Sequence, residues 1–311
     1  MVSIKLTKKV RILIIFLIIF LVSLTVTKVI YDSTFPRYDC GVEKYPIHLE
    51  STVAPRQTFS FNSGKNTLQG FLYESFVNDK KDCLIILAPG HNACADSYLW
   101  QIHELLSYGW SVFAFDTTGT CHSEGKSSVG FSQEVLDLKA SIEYVNSQDN
   151  FSYNNIALLG HSRGGYAVCS ALAYDYDISA VISISGVNSA MEGIIGASKK
   201  RVGPLAYTNH GFLWLYQAML FGPKTASLRA DKIIKNSDTP VLLIHGADDK
   251  DYPPDKYSIV SHFKKDCDNA EIIIRTSPDN SGHSNLLFAE DGTADDGIIE
   301  KINEFLNLSI K

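Results

Sequence analysis

The residues best suited to chemistry lie in the segment 155–165, which reads NIALLGHSRGG. A short apolar run there ends in a G-x-S-x-G pattern at 160–164, and a helical pattern follows over 165–174. Glycines on both sides of Ser162 let the backbone turn sharply and place the hydroxyl at the start of the helix, where N–H groups favour negative charge. The segment predicts a nucleophilic serine, and a chance match in a glycine-rich loop is the alternative.

A nucleophilic serine needs a base to take its proton and a carboxylate to orient that base. The apolar strand pattern at 239–245 leads into a loop that carries Asp248, Asp249 and Asp251. Asp249, the third residue after a glycine and shortly before a Tyr-Pro pair, is the predicted acid. A solvated acidic loop is the alternative interpretation.

One histidine is suitably placed to act as the base. A strand predicted over 270–276 opens into a loop of turn-forming residues, 277–285, that contains His283. A histidine on such a loop can reach over the end of a neighbouring strand. His262 lies in a helix predicted over 255–264 and faces away from this position.

Acyl chemistry also requires two backbone N–H groups that face the developing oxyanion. Arg163, which follows the nucleophile, is expected to supply one of them. His91 follows the apolar strand 83–88 and a Pro-Gly pair, and is expected to supply the other. Asn92 is the fallback donor and a candidate substrate contact. No second ligand lies at a fitting spacing from His91, so no metal site is predicted there.

These motifs together resemble those of α/β-hydrolases, in particular the serine hydrolases grouped with monoacylglycerol lipases, carboxylesterases and serine aminopeptidases. The order Ser162, Asp249, His283 is the order of that triad, and the similarity covers roughly 59–306. Residues 88–92 resemble the family's oxyanion loop, with proline in place of the usual histidine. Residues 113–125 resemble its fourth-strand turn, with cysteine at a position where glycine is common.

The resemblance implies the α/β-hydrolase fold, a mostly parallel sheet with helices on both faces and a small helical cap. It also implies a Ser-His-Asp hydrolase that cleaves carboxylic esters through an acyl-enzyme, without a cofactor. An amidase or peptidase, an acyltransferase, and a non-catalytic ligand-binding homologue remain alternatives, because the scaffold does not determine the substrate.

The hydrophobic pattern along the chain predicts the same architecture. Apolar runs alternate with helical patterns after a hairpin over 57–74, which is typical of a largely parallel sheet covered on both faces. Strands are predicted at 83–88, 111–115, 155–159, 180–185, 241–245 and 270–276, and helices near 97–108, 132–147, 164–174, 254–264 and 295–306.

The segment 191–238 is too long for a simple connection and predicts a small cap of helices. Within it, Phe212, Trp214 and Leu215 are candidates to line an acyl or aryl pocket beside Ser162. Burial of one face of a cap helix is the equally simple alternative.

The N-terminus predicts a membrane segment. A basic cluster precedes sixteen uncharged residues, 12–27, and the apolar stretch continues past Lys28. We expect an uncleaved anchor over 1–31, a juxtamembrane linker over 32–55, and a catalytic domain over 56–311. The basic end should stay in the cytoplasm, which places the domain on the extracytoplasmic side. Secretion after signal cleavage is the alternative.

The charge of the chain restricts its expected partners, and its cysteine content restricts the expected disulfides and zinc sites. Residues 31–311 hold 23 basic and 34 acidic residues, which disfavours nucleic acid. A small ester or acyl substrate and the membrane are the expected partners, and no obligate protein partner is inferred. Six cysteines are too few for a disulfide scaffold and match no zinc spacing. Cys94 and Cys121 lie in loops expected at one sheet edge, so a bridge between them is considered.

Overall fold

A computed structural model describes residues 7–40, 56–149, 151–203, 207, 209–263, 267, 269–277 and 279–310. Its centre is an eight-stranded sheet in the order β1-β2-β4-β3-β5-β6-β7-β8. The strands are β1 (Arg56–Ser63), β2 (Asn66–Tyr73), β3 (Cys83–Ala88), β4 (Ser111–Phe115), β5 (Asn155–His161), β6 (Ala180–Ile184), β7 (Val241–Gly246) and β8 (Ala270–Arg275). The strands β4, β3, β5, β6, β7 and β8 pair in parallel.

The hairpin of β1 and β2 extends this sheet in antiparallel fashion. Its turn uses Gly64 with a φ of +59°, a conformation that glycine adopts without cost. Every residue of β3, β4 and β7 is buried, which explains why these strands are continuously apolar instead of alternating. The predicted mostly parallel sheet and the hairpin are therefore confirmed.

Helices cover both faces of the sheet. They are α1 (Lys8–Thr34), α2 (Leu99–Ser107), α3 (Phe131–Asn146), α4 (Arg163–Ala171), α5 (Ala190–Val202), α6 (His210–Phe221), α7 (Pro223–Ala226), α8 (Ala230–Ile234) and α9 (Asp296–Ser309). Two separate hydrophobic cores result. One packs α3, α4 and α5 against the sheet, and the other packs α2 and α9 against the opposite face. The cap predicted over 191–238 corresponds to α5 through α8.

One predicted helix is wrong. The segment 254–264 contains only a single 3₁₀ turn, Val260–His262, within its described residues. Tyr257 has a φ of +69°, which an α-helix cannot accommodate, and Ser258 instead forms a β-bridge with Val187. The β-bridge between Ser258 and Val187, which follows β6, therefore overrides the helical pattern of the sequence.

The N-terminal helix α1 is 27 residues long, and its most apolar window has a mean hydropathy of 2.8, enough to cross a membrane. It continues to Thr34, beyond the predicted boundary at residue 31. The chain after it packs on the domain: Phe35 is buried, and the guanidinium of Arg37 donates hydrogen bonds to the carbonyl oxygens of Cys121, Ser123 and Gly125. The remainder of the predicted linker, 41–55, lies outside the described residues.

The disulfide differs from the pair considered above. Cys121 is bonded to Cys40, and Cys94 is a buried free thiol whose Sγ lies 2.9 Å from the Sγ of Cys40. The contacts of Arg37 bring the segment that carries Cys40 onto the loop after β4. The loop positions expected from the sequence could not indicate the pairing of Cys40 with Cys121, because Cys40 precedes the predicted catalytic domain.

Candidate active site

The predicted nucleophile sits on a strained turn between β5 and α4. Ser162 has a φ of +56°, unusual for a residue with a side chain, and directly precedes the first residue of α4. The flanking glycines are required by space. A Cβ on Gly164 would lie 2.1 Å from the carbonyl oxygen of Ala88, and one on Gly160 would lie 2.3 Å from the carbonyl oxygen of Gly164. The local sequence thus fixes the turn that presents the hydroxyl.

The three predicted triad residues meet in the structure. The Nε2 atom of His283 is 2.7 Å from the Oγ of Ser162, and its Nδ1 atom is 2.7 Å from Oδ2 of Asp249. A carboxylate accepts hydrogen bonds, so Nδ1 carries the proton and the lone pair of Nε2 faces the serine hydroxyl. This arrangement can take a proton from the serine.

The carboxylate of Asp249 is buried and held rigidly. Its Oδ1 atom accepts hydrogen bonds from the backbone N–H groups of Asp251 (2.8 Å) and Tyr252 (2.9 Å). Burial by itself raises the pKa of Asp249, but hydrogen bonds from His245 and His283 outweigh it, so the pKa lies well below its ordinary value. The group is therefore a carboxylate at neutral pH.

A second histidine, His245 at the end of β7, supports this carboxylate. Its Nε2 atom lies 2.8 Å from the carbonyl oxygen of Tyr252 and 3.1 Å from Oδ2 of Asp249. Both neighbours are acceptors, so Nε2 must carry a proton. His245 thus shares Oδ2 of Asp249 with His283 and ties that carboxylate to the backbone at Tyr252.

A third histidine, His161, connects the loops around the nucleophile. Its Nε2 atom donates to the carbonyl oxygen of His283 (3.0 Å), which leaves Nδ1 to accept the hydroxyl proton of Tyr98 (3.0 Å). The hydroxyl oxygen of Tyr98 in turn accepts the backbone N–H of Gly90 at 2.8 Å. Ser185 donates a second hydrogen bond to the carbonyl of His283 at 2.9 Å.

This series of hydrogen bonds depends on an uncharged imidazole. Burial, reinforced by the charge of His283, lowers the pKa of His161 to about 3. Neutral His161 can donate at one nitrogen and accept at the other, as its two partners require. The predicted oxyanion loop at Gly90 and the loop of His283 are therefore tied to the same ring.

Two of the residues predicted to surround the oxyanion line the same cavity. His91 and Asn92 line it beside Ser162, and Asn92 has a φ of +54°. The N–H of Gly90 is engaged by Tyr98, so this group is not the second donor. Arg163 is the first residue of α4, where a backbone N–H has no partner within the helix.

The side chain of Arg163 points away from the cavity. It is completely buried and its Nη2 atom contacts Thr117 at 2.9 Å and Glu134 at 2.7 Å. Only the main chain of Arg163 is therefore placed to face a reacting group.

A cavity of about 510 Å³ surrounds the serine. Ser162 and His283 lie at its base, and its wall includes Thr34 at the end of α1 and Gly196 and Ala197 of α5. This volume suits a small ligand or part of a longer one.

The three candidate substrate contacts of the cap lie elsewhere. Phe212, Trp214 and Leu215 are on α6 and are not among the residues that line this cavity in the described part of the chain. The ring of Phe212 packs against Phe20 of α1, and the indole of Trp214 donates to the hydroxyl of Ser227.

Sequence reasoning missed the supporting residues. Tyr98 lies within a predicted helix, His245 ends a predicted strand, and Thr34 belongs to the predicted linker. Only His161, inside the G-x-S-x-G pattern itself, carried a local signal. One sulfur cluster lies nearby: the sulfurs of Cys40, Cys94 and Cys121 are within 4.8 Å of one another, but two of them are bonded together, which leaves a single thiol to offer a metal.

Comparisons with known proteins concern the family and the fold of the chain. Residues 79–206 match the family model described as serine aminopeptidase, S33. Among solved structures, an esterase from Pyrococcus furiosus is similar over 89% of this chain and 99% of its own, with 18% identity and a TM-score of 0.65. Est1E from Butyrivibrio proteoclasticus with ferulic acid bound is similar over 81% of this chain and 99% of its own, with 18% identity and a TM-score of 0.60. No curated protein matches the chain.

Proposed function

We propose that this chain is a serine hydrolase of the α/β-hydrolase superfamily that cleaves carboxylic esters through Ser162, His283 and Asp249. The match of residues 79–206 to the serine aminopeptidase family model and the similarity in fold to solved esterases support the proposal. The observation that supports this most is the pair of 2.7 Å contacts that join the three side chains in the order serine, histidine, aspartate. The esterases among its structural neighbours favour an ester over an amide as the substrate.

In the proposed reaction, His283 takes the proton of Ser162 as the Oγ atom attacks the ester carbonyl. The backbone N–H groups of His91 and Arg163 stabilise the tetrahedral oxyanion. The protonated His283 then donates to the leaving alkoxide, and the acyl group stays on Ser162. Water, deprotonated by the same histidine, releases the acid and restores the serine. Asp249 holds the required tautomer throughout.

The first experiment is reaction of the full chain, in detergent micelles, with a fluorophosphonate that phosphonylates activated serines. We expect one adduct on Ser162 by peptide mapping, and no adduct in the Ser162→Ala variant. Ser147→Ala, which removes an exposed serine at the end of α3, is the matched control and should label normally. A folded chain that does not react would favour the non-catalytic ligand-binding alternative.

The bond type requires a second experiment. Matched pairs of a p-nitrophenyl ester and the p-nitroanilide of the same acyl group would be compared, together with aminoacyl anilides. Preference for the ester supports the proposal, and comparable turnover of the anilides would indicate an amidase or peptidase. An ester product formed with an added alcohol in place of the free acid would indicate an acyltransferase.

We further propose that residues 1–31 anchor the catalytic domain, 56–311, on the extracytoplasmic side of a membrane. The basic residues before the apolar run and the disulfide between Cys40 and Cys121, which is typical of oxidising compartments, support this orientation. Intact mass of the protein from the membrane fraction distinguishes an anchor from a cleaved signal: a mass lacking the first residues, found in the soluble fraction, would indicate secretion.

A further inference from the structure

The cap helix α6 leaves a large apolar surface uncovered. The exposed fractions are 37% for Trp214, 70% for Met219 and 44% for Leu220. Within α6, His210–Phe221, the only buried side chains are Leu213 and Gln217. A helix that is apolar on nearly every side does not normally face water.

The same helix packs directly against the proposed membrane span. The rings of Phe212 and Phe20 have centroids 5.6 Å apart, and those of Tyr216 and Tyr31 are 5.0 Å apart. Between these two contacts, the side-chain amide of Asn209 donates hydrogen bonds to the hydroxyl of Thr27 and to the carbonyl oxygen of Ser23. Helix α6 is therefore fixed to α1 at three points.

These contacts define the height of α6 relative to a bilayer. They occupy the section of α1 from Phe20 to Tyr31, about 16 Å of helix axis at a rise of about 1.5 Å per residue. Lys28, the first charged residue after the apolar run, lies within this section and pairs with Asp32. Helix α6 thus packs along the last part of the apolar run and reaches the charged residues that end it.

We propose that α6 is a membrane-binding helix, which lies at the boundary between headgroups and acyl chains and holds the mouth of the catalytic cavity against the lipid surface. Its occupant is the bilayer itself, because α6 packs on the proposed membrane span, and the section of α1 that it contacts also exposes Val22, Val26 and Val29. A tryptophan beside aliphatic residues is typical of such interfacial helices.

The consequence for the enzyme concerns access to the site. Thr34, the last residue of α1, lines the cavity that contains Ser162. The wall of the cavity therefore includes a residue less than one helical turn beyond the section of α1 that binds α6. An ester whose acyl chains are dissolved in the membrane would reach the serine without leaving the lipid surface. This inference depends on the proposed membrane span and not on the proposed catalysis.

The test uses the tryptophan of α6 as a depth probe. The full-length Ser162→Ala chain, which cannot consume the lipid, is reconstituted into phosphatidylcholine vesicles that contain lipids brominated near the headgroup or near the methyl end of the acyl chain. Quenching of tryptophan fluorescence is compared with that of the same chain carrying Trp214→Phe. The difference reports Trp214 alone, without the other two tryptophans of the chain.

We expect quenching that is specific to Trp214 and strongest with the lipid brominated near the headgroup. Met219→Glu should reduce it by about twofold or more, because a charge at that depth is unfavourable. Leu308→Glu is the matched control, since Leu308 is 81% exposed on α9, and should leave the quenching unchanged.

Absence of Trp214-specific quenching in vesicles where protease protection shows α1 inserted would overturn the proposal. If Trp214 were also shielded from acrylamide there, a second copy of the chain or another protein would be the occupant of this face. Neither result bears on catalysis, which fluorophosphonate labelling of the wild-type chain reports independently.

Discussion

The buried histidine beside the nucleophile leads to a prediction that separates its charge from its hydrogen bonds. His161→Gln keeps an amide N–H near the position of Nε2, so the bond to the carbonyl of His283 is expected to survive. His161→Gln also removes the imidazole, which is the group that titrates. His161→Phe keeps the ring volume but removes both the bond to His283 and the bond from Tyr98. The two variants therefore differ in hydrogen bonding and agree in charge.

The charge effect appears in the pH dependence of stability. The unfolded histidine binds a proton below about pH 6.5, whereas folded His161 does so only near its pKa of about 3. Within this window the unfolded state holds more protons, so stability falls as the pH falls. Between about pH 6 and about pH 4, His161 should make wild type lose about 2.5 kcal/mol more than either variant.

The hydrogen-bond effect appears in activity. His161→Phe removes two bonds of about 1 kcal/mol each from the support of the base loop, so kcat/KM on an ester should fall about tenfold or more. His161→Gln keeps the bond to the carbonyl of His283, so its kcat/KM should stay within about threefold of the wild-type value.

The assays are urea unfolding of the full chain in micelles at the two pH values, and steady-state hydrolysis of a p-nitrophenyl ester near neutral pH. Equal pH slopes for wild type and His161→Gln would refute the claim that the ring stays neutral. An unchanged kcat/KM in His161→Phe would refute the claim that it positions His283.

Three further predictions concern the same framework. Gly164→Ala should lower the free energy of unfolding by more than about 3 kcal/mol, because the new Cβ would meet the carbonyl oxygen of Ala88. Gly211→Ala is the control: it has open space in α6 and should be neutral or stabilising by up to about 1 kcal/mol. Thermal denaturation measures both variants. Replacing both bonded cysteines, Cys40→Ser with Cys121→Ser, leaves Cys94 without a thiol partner in this cluster and should lower the free energy of unfolding by about 2–4 kcal/mol, with a urea midpoint insensitive to dithiothreitol; a midpoint equal to that of oxidised wild type would contradict this. Asp249→Asn should reduce kcat by about 10³–10⁴-fold, since the amide favours the wrong tautomer of the triad histidine; a reduction below tenfold would exclude Asp249 as the orienting acid.

The features that the sequence could predict are those that depend on local patterns. The strand before Ser162 is apolar because it is buried on both faces, and the glycines beside it are required by contacts that no other residue allows. The order of the nucleophile, the acid and the base along the chain was also readable, because each follows a recognisable strand. From these signals, Ser162, Asp249 and His283 could be predicted to meet at one edge of the sheet.

The features that escaped prediction arise from contacts between distant segments. The link from Gly90 through Tyr98 and His161 to His283 joins four separate parts of the chain, and no window of sequence contains two of its three bonds. The helix expected over 254–264 was wrong because Ser258 pairs with Val187, seventy-one positions earlier, and not because its own residues lack a helical pattern.

The anchor and the active site cannot be treated as separate modules. Beyond α1, the ring of Phe35 packs edge-on against His91 of the predicted oxyanion loop at 5.5 Å between ring centroids. Cys40 is bonded to Cys121 in the loop after β4, and its sulfur also contacts the thiol of Cys94. The segment that a linker would occupy thus braces two of the loops around the cavity. Removal of residues 1–40 to obtain a soluble protein would take away the wall at Thr34 together with this support, so the proposed membrane helix also shapes the candidate site.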